Sequence, residues 1–383
     1  MQPSETDRYD AVVIGVGAMG SATTYQLARR GLDVLGIEQY GVGHARGSSH
    51  GESRIIRRTV YEGPEYVPLV ERAYELWDDL GERRGERLLH QPGSLDVGPP
   101  DSDVIQGARR SCQEHGIDHE VLDPEAVAER FPGYDLPRNY VAVYQSEGGY
   151  VTPERAILAH ASEALAEGAT IRAHETVRDW SAGESGVTVE TDRATYEAER
   201  LVLTAGAWTQ SLLDELRNRA IPERLVMGWF RPAEPDRFHP DRFPVFVISE
   251  AESEGAYGFP IHDRGIPGFK IGSHSQSEVV DPDEGPAEPD RRDEALLREL
   301  AHRHFDRPVE STIRMESCML TRSPDSEFVL DTHPDHANVA IGAGFSGSGF
   351  KFSSAVGEVL TDLALDGETR HDIAPFGIDR FGE

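Results

Sequence analysis

The chain contains only two cysteines, Cys112 and Cys318, among its 383 residues. Two cysteines cannot form a disulfide framework, and no group of residues has the spacing of a metal site, so we expect no metal. The sequence also lacks a run of about 18 apolar residues, the length that a membrane-spanning helix requires. Its first ten residues, MQPSETDRYD, are polar and acidic, unlike a signal peptide. These absences predict a cytoplasmic protein.

Lysine is almost absent as well. Only Lys270 and Lys351 occur, so 36 of the 38 basic residues are arginines. With 68 acidic residues the net charge is -30, which would repel nucleic acids and anionic membranes, so we expect neither as a partner. In such a chain a lysine is expected where a compact ammonium group does what a planar guanidinium cannot. Both lysines are therefore candidate site residues.

The excess of acidic residues predicts a halophilic protein, although a GC-rich genome, whose codons favour arginine, would explain the shortage of lysine equally well. In molar salt the Debye length falls to about 3 Å, which relieves repulsion among the acidic groups. We therefore expect the midpoint of thermal unfolding to rise steadily when the protein is moved from dilute buffer into molar salt. Full stability in dilute buffer would remove this hypothesis.

The most informative motif lies near the N-terminus, where Gly15, Gly17 and Gly20 have the spacing G-x-G-x-x-G. An apolar strand pattern precedes it, a helical pattern follows it, and a second apolar strand ends at Glu38. In such a unit the glycines permit a tight turn, a close approach of pyrophosphate and close helix packing. The motif predicts a dinucleotide at the helix N-terminus, with its ribose on Glu38. It does not distinguish FAD from NAD.

Two more candidate parallel strands, at 201–206 and 339–342, lie far along the chain. The stretches between them are richer in proline and aromatic residues and predict antiparallel strands. We therefore predict an α/β fold in which a Rossmann-like dinucleotide-binding domain is interleaved with a substrate domain on a mainly antiparallel sheet. The first domain is predicted to comprise residues 1–84, 149–216 and 319–383, and the second residues 85–148 and 217–318.

Several longer motifs occur in one order along nearly the whole chain, and together they resemble the monomeric sarcosine oxidase and N-methyltryptophan oxidase family. They are GSSHGESRIIR at 47–57, YGFP at 257–260, KIGSH at 270–274, the tract 317–331 and FSGSGFKF at 345–352. The resemblance implies a monomeric FAD enzyme. It also implies oxidation of a small secondary amino acid, such as sarcosine or N-methyltryptophan, by oxygen, with an imine or aldehyde, an amine and hydrogen peroxide as products.

Other functions stay open on the sequence. One alternative is another flavin amine oxidoreductase that acts on glycine, a D-amino acid or dimethylglycine, and a second is a dehydrogenase that passes electrons to a carrier. The glycine motif alone would also suit an NAD-dependent dehydrogenase, or a protein that binds the cofactor without catalysis.

The resemblance implies that FAD is attached covalently through a thioether at Cys318. Without this resemblance, Cys318 would be interpreted as a buried apolar thiol, which is the commoner state of a lone cysteine. Cys112 lies in no matching motif and is expected to be structural.

The resemblance also assigns tasks to the two lysines. It implies that Lys351 and Arg57 bind the substrate carboxylate, for which charge-assisted hydrogen bonds offset the cost of desolvation. It implies that Lys270 assists the reaction with oxygen by electrostatic stabilisation.

Four more residues are implied near the ring of the cofactor. His274 and Tyr257 resemble residues that line the amine side of the substrate pocket, where a histidine could tune the protonation of the amine. Arg54 and His50 resemble residues close to the flavin, with His50 orienting Arg54. Arg54 and Arg57 are three residues apart, so they would lie on one side of the segment if that segment were helical.

The chain departs from the family pattern at Ser49, Ser348, Arg58 and Ser53, so the size and polarity of the substrate pocket stay open. The remaining predicted cofactor contacts are Ala18, Met19, Gln39, Ser48, Ser49, Ser53, Val177, Gly206, Trp208, Gly344, Gly347, Ser348 and Gly349.

Overall fold

The structure is a computed structural model that describes residues 7–183, 185–250, 255–262, 265–273 and 278–382. Twenty strands are found in these ranges. They are β1 Asp7–Ile14, β2 Val34–Glu38, β3 Arg54–Ile56, β4 Leu89–His90, β5 Ser94–Gly98, β6 Glu120–Leu122, β7 Val141–Gln145, β8 Gly149–Val151, β9 Thr170–Ala173, β10 Val177–Gly183, β11 Gly186–Thr191, β12 Thr195–Leu203, β13 Ile221–Arg231, β14 Val245–Ser249, β15 Gly255–Phe259, β16 Phe269–Ser273, β17 Glu278–Val279, β18 Ser311–Arg322, β19 Val329–His333 and β20 His336–Ala343.

Eight α-helices accompany the strands in the described ranges. They are α1 Ala18–Arg29, α2 Val67–Arg84, α3 Asp103–His115, α4 Pro124–Arg130, α5 Pro153–Ala166, α6 Thr209–Leu212, α7 Arg291–His304 and α8 Ser353–Asp366. No helix in the described part of the chain is long and apolar enough to cross a membrane.

The first sheet has a parallel centre in the order β9-β2-β1-β12-β20. The antiparallel strands β10 and β11 extend it beside the first part of β12, and β19 pairs antiparallel with β20. Alternate residues of β1 enter different cores: Ala11 and Val13 pack with the helices, whereas Val12 and Ile14 pack on the opposite face. Burial of both faces explains why the second half of the strand, residues 11–14, is an unbroken apolar run.

The second sheet has the order β17-β13-β16-β15-β14-β5-β7-β6, and β18 pairs along the other side of β13. Its neighbouring strands are antiparallel except for β14 and β5, which are parallel. A separate core of aromatic residues, including Phe243, Phe246, Phe269 and Phe305, packs on this sheet. A third sheet, β3-β8-β4, has three short strands.

The predicted fold class is confirmed, because one sheet has the parallel βαβ arrangement and the other is mainly antiparallel. Strands of the first sheet come from the beginning, middle and end of the chain, and strands of the second lie between them. The exact domain boundaries stay predictions. The boundary placed between residues 318 and 319 falls inside β18, which continues to Arg322.

Two local expectations differ from the structure. The segment that carries Arg54 is a strand, β3, and not a helix, because it pairs with β8. The second concerns residues 281–293, whose acidic composition predicts one exposed loop. Instead, Asp293 lies buried in the first turn of α7, where it forms an ion pair of 2.7 Å with Arg224 and a capping box with Asp290.

Candidate active site

A cavity of about 740 Å³ extends from the glycine turn to Lys351, and residues of both large sheets line it. Most of the predicted site residues meet there. The predicted residues that line it are Gly15, Gly17, Ala18, Met19, Glu38, Gln39, Ser48, Ser49, Arg54, Arg57, Val177, Gly206, Trp208, Tyr257, Cys318, Gly344, Gly347, Ser348, Gly349 and Lys351. The lining does not include Gly20, His50, Ser53 or Lys270. His274 lies outside the described residues.

The glycine turn has a different requirement at each of its glycines. Gly15 has φ +88°, and a Cβ there would lie 2.6 Å from the carbonyl oxygen of Thr204. A Cβ on Gly20 would lie 1.7 Å from the oxygen of Gly15, so only glycine fits between strand and helix. A Cβ on Gly17 would meet no atom within 4 Å. Protein packing therefore does not require Gly17, but a pyrophosphate that approaches the start of α1 does.

Glu38 fixes the turn to the end of β2. Its Oε2 accepts a hydrogen bond of 3.0 Å from the backbone N–H of Val16, and its Oε1 accepts one of 2.9 Å from the N–H of Tyr40. The side chain also lies 3.3 Å from Nε2 of His44. Glu38 lines the cavity, as a ribose acceptor must, and the ribose contact itself stays a prediction.

Cys318 reaches the cavity from β18, where it pairs with Leu225 of β13. Burial raises the pKa of its thiol, and the positive charges of Arg54 and Lys270 oppose that shift. Cys112 is buried in α3 within a small apolar cluster and does not line the cavity. The structure thus separates the two thiols by environment.

The two cations predicted to bind a carboxylate are close together, and an acidic residue joins them. Nζ of Lys351 lies 3.0 Å from Oε1 of Glu62, and Nη2 of Arg57 lies 3.7 Å from Oε2 of the same residue. The guanidinium of Arg57 also stacks 4.8 Å from the ring of Tyr61. Both cations are almost fully buried, which strengthens their interaction with any anion in the cavity.

A second acidic residue lies behind Arg57. Oδ1 of Asp96 is 2.9 Å from Nε of Arg57, and Oδ2 accepts a hydrogen bond of 2.7 Å from the hydroxyl of Thr59. Burial raises the pKa of Asp96 to about 6, against the opposing influence of Arg57 and Thr59. The cluster thus contains two cations and two carboxyl groups.

Lys270 is buried in β16, beside the loop that precedes β3. Its Nζ donates to the carbonyl oxygens of Gly51 (2.6 Å) and Ser53 (3.1 Å) and lies 3.2 Å from the hydroxyl of Ser53. The rings of Phe259 and Trp229 face it at 4.6 and 5.3 Å. Burial, aided by the charge of Arg54, lowers the pKa of Lys270 to about 7. Its ammonium can therefore change charge close to neutral pH.

The structure does not pair His50 with Arg54. The guanidinium of Arg54 donates to the carbonyl oxygens of Ser48 (2.8 Å) and Ser53 (2.9 Å). Nδ1 of His50 instead lies 3.5 Å from a carboxylate oxygen of Glu316. The predicted orientation of Arg54 by His50 is therefore wrong: β3 and the preceding loop hold Arg54 through backbone carbonyls.

Three residues of the site were missed by sequence reasoning. Thr204 donates its hydroxyl to the carbonyls of Ile14 and Gly15 and thereby supports the glycine turn. Glu62 carries no local signal of its role. Asp96 does carry one, because it is a single acidic residue within an apolar strand, and such a residue needs a buried partner.

One cavity is lined both by the glycine turn of the parallel sheet and by the buried cations Arg57 and Lys351. This combination defines a dinucleotide-dependent oxidoreductase. The chain belongs to the family of FAD dependent oxidoreductases, whose model matches residues 10–363. It is an FAD-dependent enzyme, and the cavity fits the cofactor because Gly17 leaves the start of α1 accessible.

The relatives are similar over nearly the whole chain. A monomeric sarcosine oxidase of Bacillus sp. (strain NS-129) is 38% identical over 379 residues, which are 97% of this chain and 97% of that protein. An N-methyl-L-tryptophan oxidase of Yersinia pestis (strain Pestoides F) is 35% identical, with coverage of 97% and 99%. Among solved structures, NikD, an unusual amino acid oxidase essential for nikkomycin biosynthesis, superposes with a TM-score of 0.84 at 28% identity, with coverage of 97% and 98%.

Proposed function

We propose that this protein oxidises a small secondary amino acid of the N-methyl type, with oxygen as electron acceptor and hydrogen peroxide as product. The observation that carries the proposal is that one cavity contains both the glycine turn and the buried pair Arg57 and Lys351. An α-amino acid presents one carboxylate, and two buried cations at the end of a cofactor cavity suit it. The names of the two sequence relatives support the same substrate class.

The tasks of the residues follow from their positions. Arg57 and Lys351 bind the carboxylate, and Glu62, which also lines the cavity, must release Lys351 when the substrate enters. Tyr257 and Phe259 line the cavity as an apolar wall that excludes water from the amine. When bound, FAD supplies the two-electron oxidation of the carbon–nitrogen bond.

Three further properties are the attachment of the cofactor, the oligomeric state and the cellular location. We propose covalent attachment of FAD at Cys318, because this residue lines the same cavity as the glycine turn and the two buried cations. We propose a monomer, as in the relatives that are named monomeric, and a cytoplasmic location, in agreement with two free cysteines.

The proposal is tested by measuring oxygen consumption and peroxide formation by the purified yellow protein. The panel contains sarcosine, N-methyltryptophan, proline, glycine, D-alanine and dimethylglycine. Turnover of an N-methyl amino acid with peroxide formation is expected. Turnover confined to glycine or D-alanine, or electron transfer to a dye without oxygen uptake, would contradict it.

A pair of adjacent arginines provides a matched control for the substrate site. Arg57→Gln is expected to lower kcat/KM by about 10- to 150-fold, because a hydrogen bond to a charged group contributes about 1.5–3 kcal/mol. Arg58 instead pairs with Glu147 at the surface and stacks 4.4 Å from the ring of Tyr74. Arg58→Gln should therefore stay within a few-fold of the unchanged enzyme, and equal losses in the two variants would contradict the assignment.

A further inference from the structure

Asp96 is a buried carboxyl group at an unusual place, the middle of strand β5. All five residues of this strand are buried, and the neighbours of Asp96, Leu95 and Val97, belong to an apolar core. Asp96 itself has 0% of its surface exposed. An ionised carboxylate there is strongly destabilising unless other groups compensate its charge.

The groups that compensate it belong to the segment that follows β3. Thr59 donates its hydroxyl to one oxygen of Asp96, and Nε of Arg57 lies 2.9 Å from the other. The contact with Arg57 is an ion pair without hydrogen-bond geometry, because Nε of Arg57 and Oδ1 of Asp96 both have no hydrogen-bond partner among the described residues. Nη2 of Arg57 has none either, and Arg57 lines the cavity, so Asp96 offsets the charge of the guanidinium and leaves its donors for a ligand.

The two carboxyl groups of the cluster differ in their freedom to move. Glu62 lies in the connection between β3 and α2, lines the cavity, and has one oxygen without a hydrogen-bond partner. Asp96 lies in a central strand, hydrogen-bonded by Thr59. A carboxylate that enters the cavity can thus replace Glu62 beside Lys351, whereas Asp96 stays beside Arg57.

We propose that Asp96 is a positioning residue that holds the guanidinium of Arg57 for the substrate carboxylate and, by offsetting its charge, limits how tightly the cavity binds an anion. This inference rests on the proposed function of the cavity as an amino-acid site. It predicts that neutralising Asp96 strengthens anion binding, because only Glu62, 3.7 Å from Nη2, then offsets the positive charge of Arg57.

The inference also predicts a pH dependence. The titratable and charged groups that face Asp96 are Arg57, Tyr61, Glu62, Cys112 and Lys351. Burial raises the pKa of Asp96 to about 6. Burial also acts to raise the pKa of Glu62, but Lys351 and Arg57 outweigh it and lower that pKa. As the pH falls through about 6, Asp96 becomes neutral while Glu62 stays ionised, so anion affinity should increase.

The experiment measures furoate binding to the holoenzyme through the change in the visible absorption of its flavin, from about pH 5.5 to about pH 8. Furoate has a carboxylate that stays ionised in this range and has no amine. The dissociation constant of the unchanged protein is expected to fall severalfold as the pH is lowered. Asp96→Asn should bind furoate about tenfold more tightly at the upper pH and lose the step near pH 6, so that only a change centred near pH 7, where Lys270 titrates, can remain.

Two further variants keep the test decisive. Asp293→Asn removes another buried carboxylate, which pairs with Arg224 away from the cavity, and should keep the step. Thr59→Val removes the hydrogen bond that favours ionised Asp96, so it should move the step to higher pH even if Asp96→Asn does not fold. The inference is overturned if Asp96→Asn keeps the step or gains no affinity, or if Thr59→Val leaves the step in place.

The outcomes separate this inference from the proposed function. If N-methyl amino acids are oxidised but furoate binding shows no step, the role of Asp96 is refuted alone. If the step is present but the panel contains no oxidised amino acid, the proposed function is refuted alone.

Discussion

Replacing Lys270 by methionine is expected to slow the reaction of the reduced enzyme with oxygen by about 10²- to 10³-fold, the usual loss when one preorganised charge or donor is removed. Reduction by substrate should change only a few-fold, because Lys270 does not line the cavity that receives the amino acid. The charge of Lys270 acts on the cavity from behind its wall, as its influence on the pKa of Cys318 indicates. Stopped-flow absorption measures the two half-reactions separately, and equal losses in both would refute this role.

The same residue predicts a pH profile. The pKa of Lys270, lowered by burial and by Arg54, is about 7, so the ammonium is charged below that pH and neutral above it. The rate of the oxygen reaction should therefore fall as the pH rises above about 7, and it should be flat in Lys270→Met.

A thermal unfolding curve is the control for Lys270→Met. The substitution removes the donor to the carbonyls of Gly51 and Ser53, which should lower the free energy of unfolding by about 1–3 kcal/mol. A folded variant with normal reduction by substrate would show that the oxygen defect is not a folding defect.

Replacing Cys318 by serine is expected to abolish covalent attachment of the flavin. After acid denaturation, the flavin of the unchanged protein should sediment with the polypeptide, and that of Cys318→Ser should remain in solution. Cys318 lines the cavity and Cys112 does not, and a serine hydroxyl is a much weaker nucleophile than a thiol. Mass spectrometry of the denatured protein measures the attachment directly.

Cys112→Ser is the matched control, because this cysteine is also buried but lies in the cluster of α3, away from the cavity. It should keep the flavin attached. Release of free flavin from the unchanged protein, or loss of attachment in both variants, would refute the assignment of Cys318.

The features of the site whose positions could be predicted from the sequence are those with local causes. The glycine turn follows from steric demands within a few residues, since a Cβ on Gly20 would collide with the backbone of Gly15. The buried strand β1 follows from its apolar run. The scarcity of lysine identified Lys270 and Lys351, and both are buried beside or in the cavity.

The parts that were missed depend on residues far apart in sequence. Arg57 directly follows β3, whereas Asp96 lies in β5 of the second sheet, and the tertiary structure brings Nε of Arg57 within 2.9 Å of Oδ1 of Asp96. The partner of His50 was predicted as its near neighbour Arg54, but the structure places Glu316, on β18, beside it. Spacing along the chain cannot reveal such pairs, because they depend on how separate elements pack.

The sequence by itself determined that this protein is acidic, with a dinucleotide-binding turn, two interleaved sheets and only two lysines, and its resemblance to a known family pointed to the flavin. The turn, the sheets and the charge depend on short-range sterics, on periodicity and on composition. The tertiary structure alone decided the charge balance of the substrate end, where Asp96 and Glu62 oppose Arg57 and Lys351. The physical reason is that burial brings these four groups together and removes water, so that each charge is governed by its neighbours and not by its place in the chain.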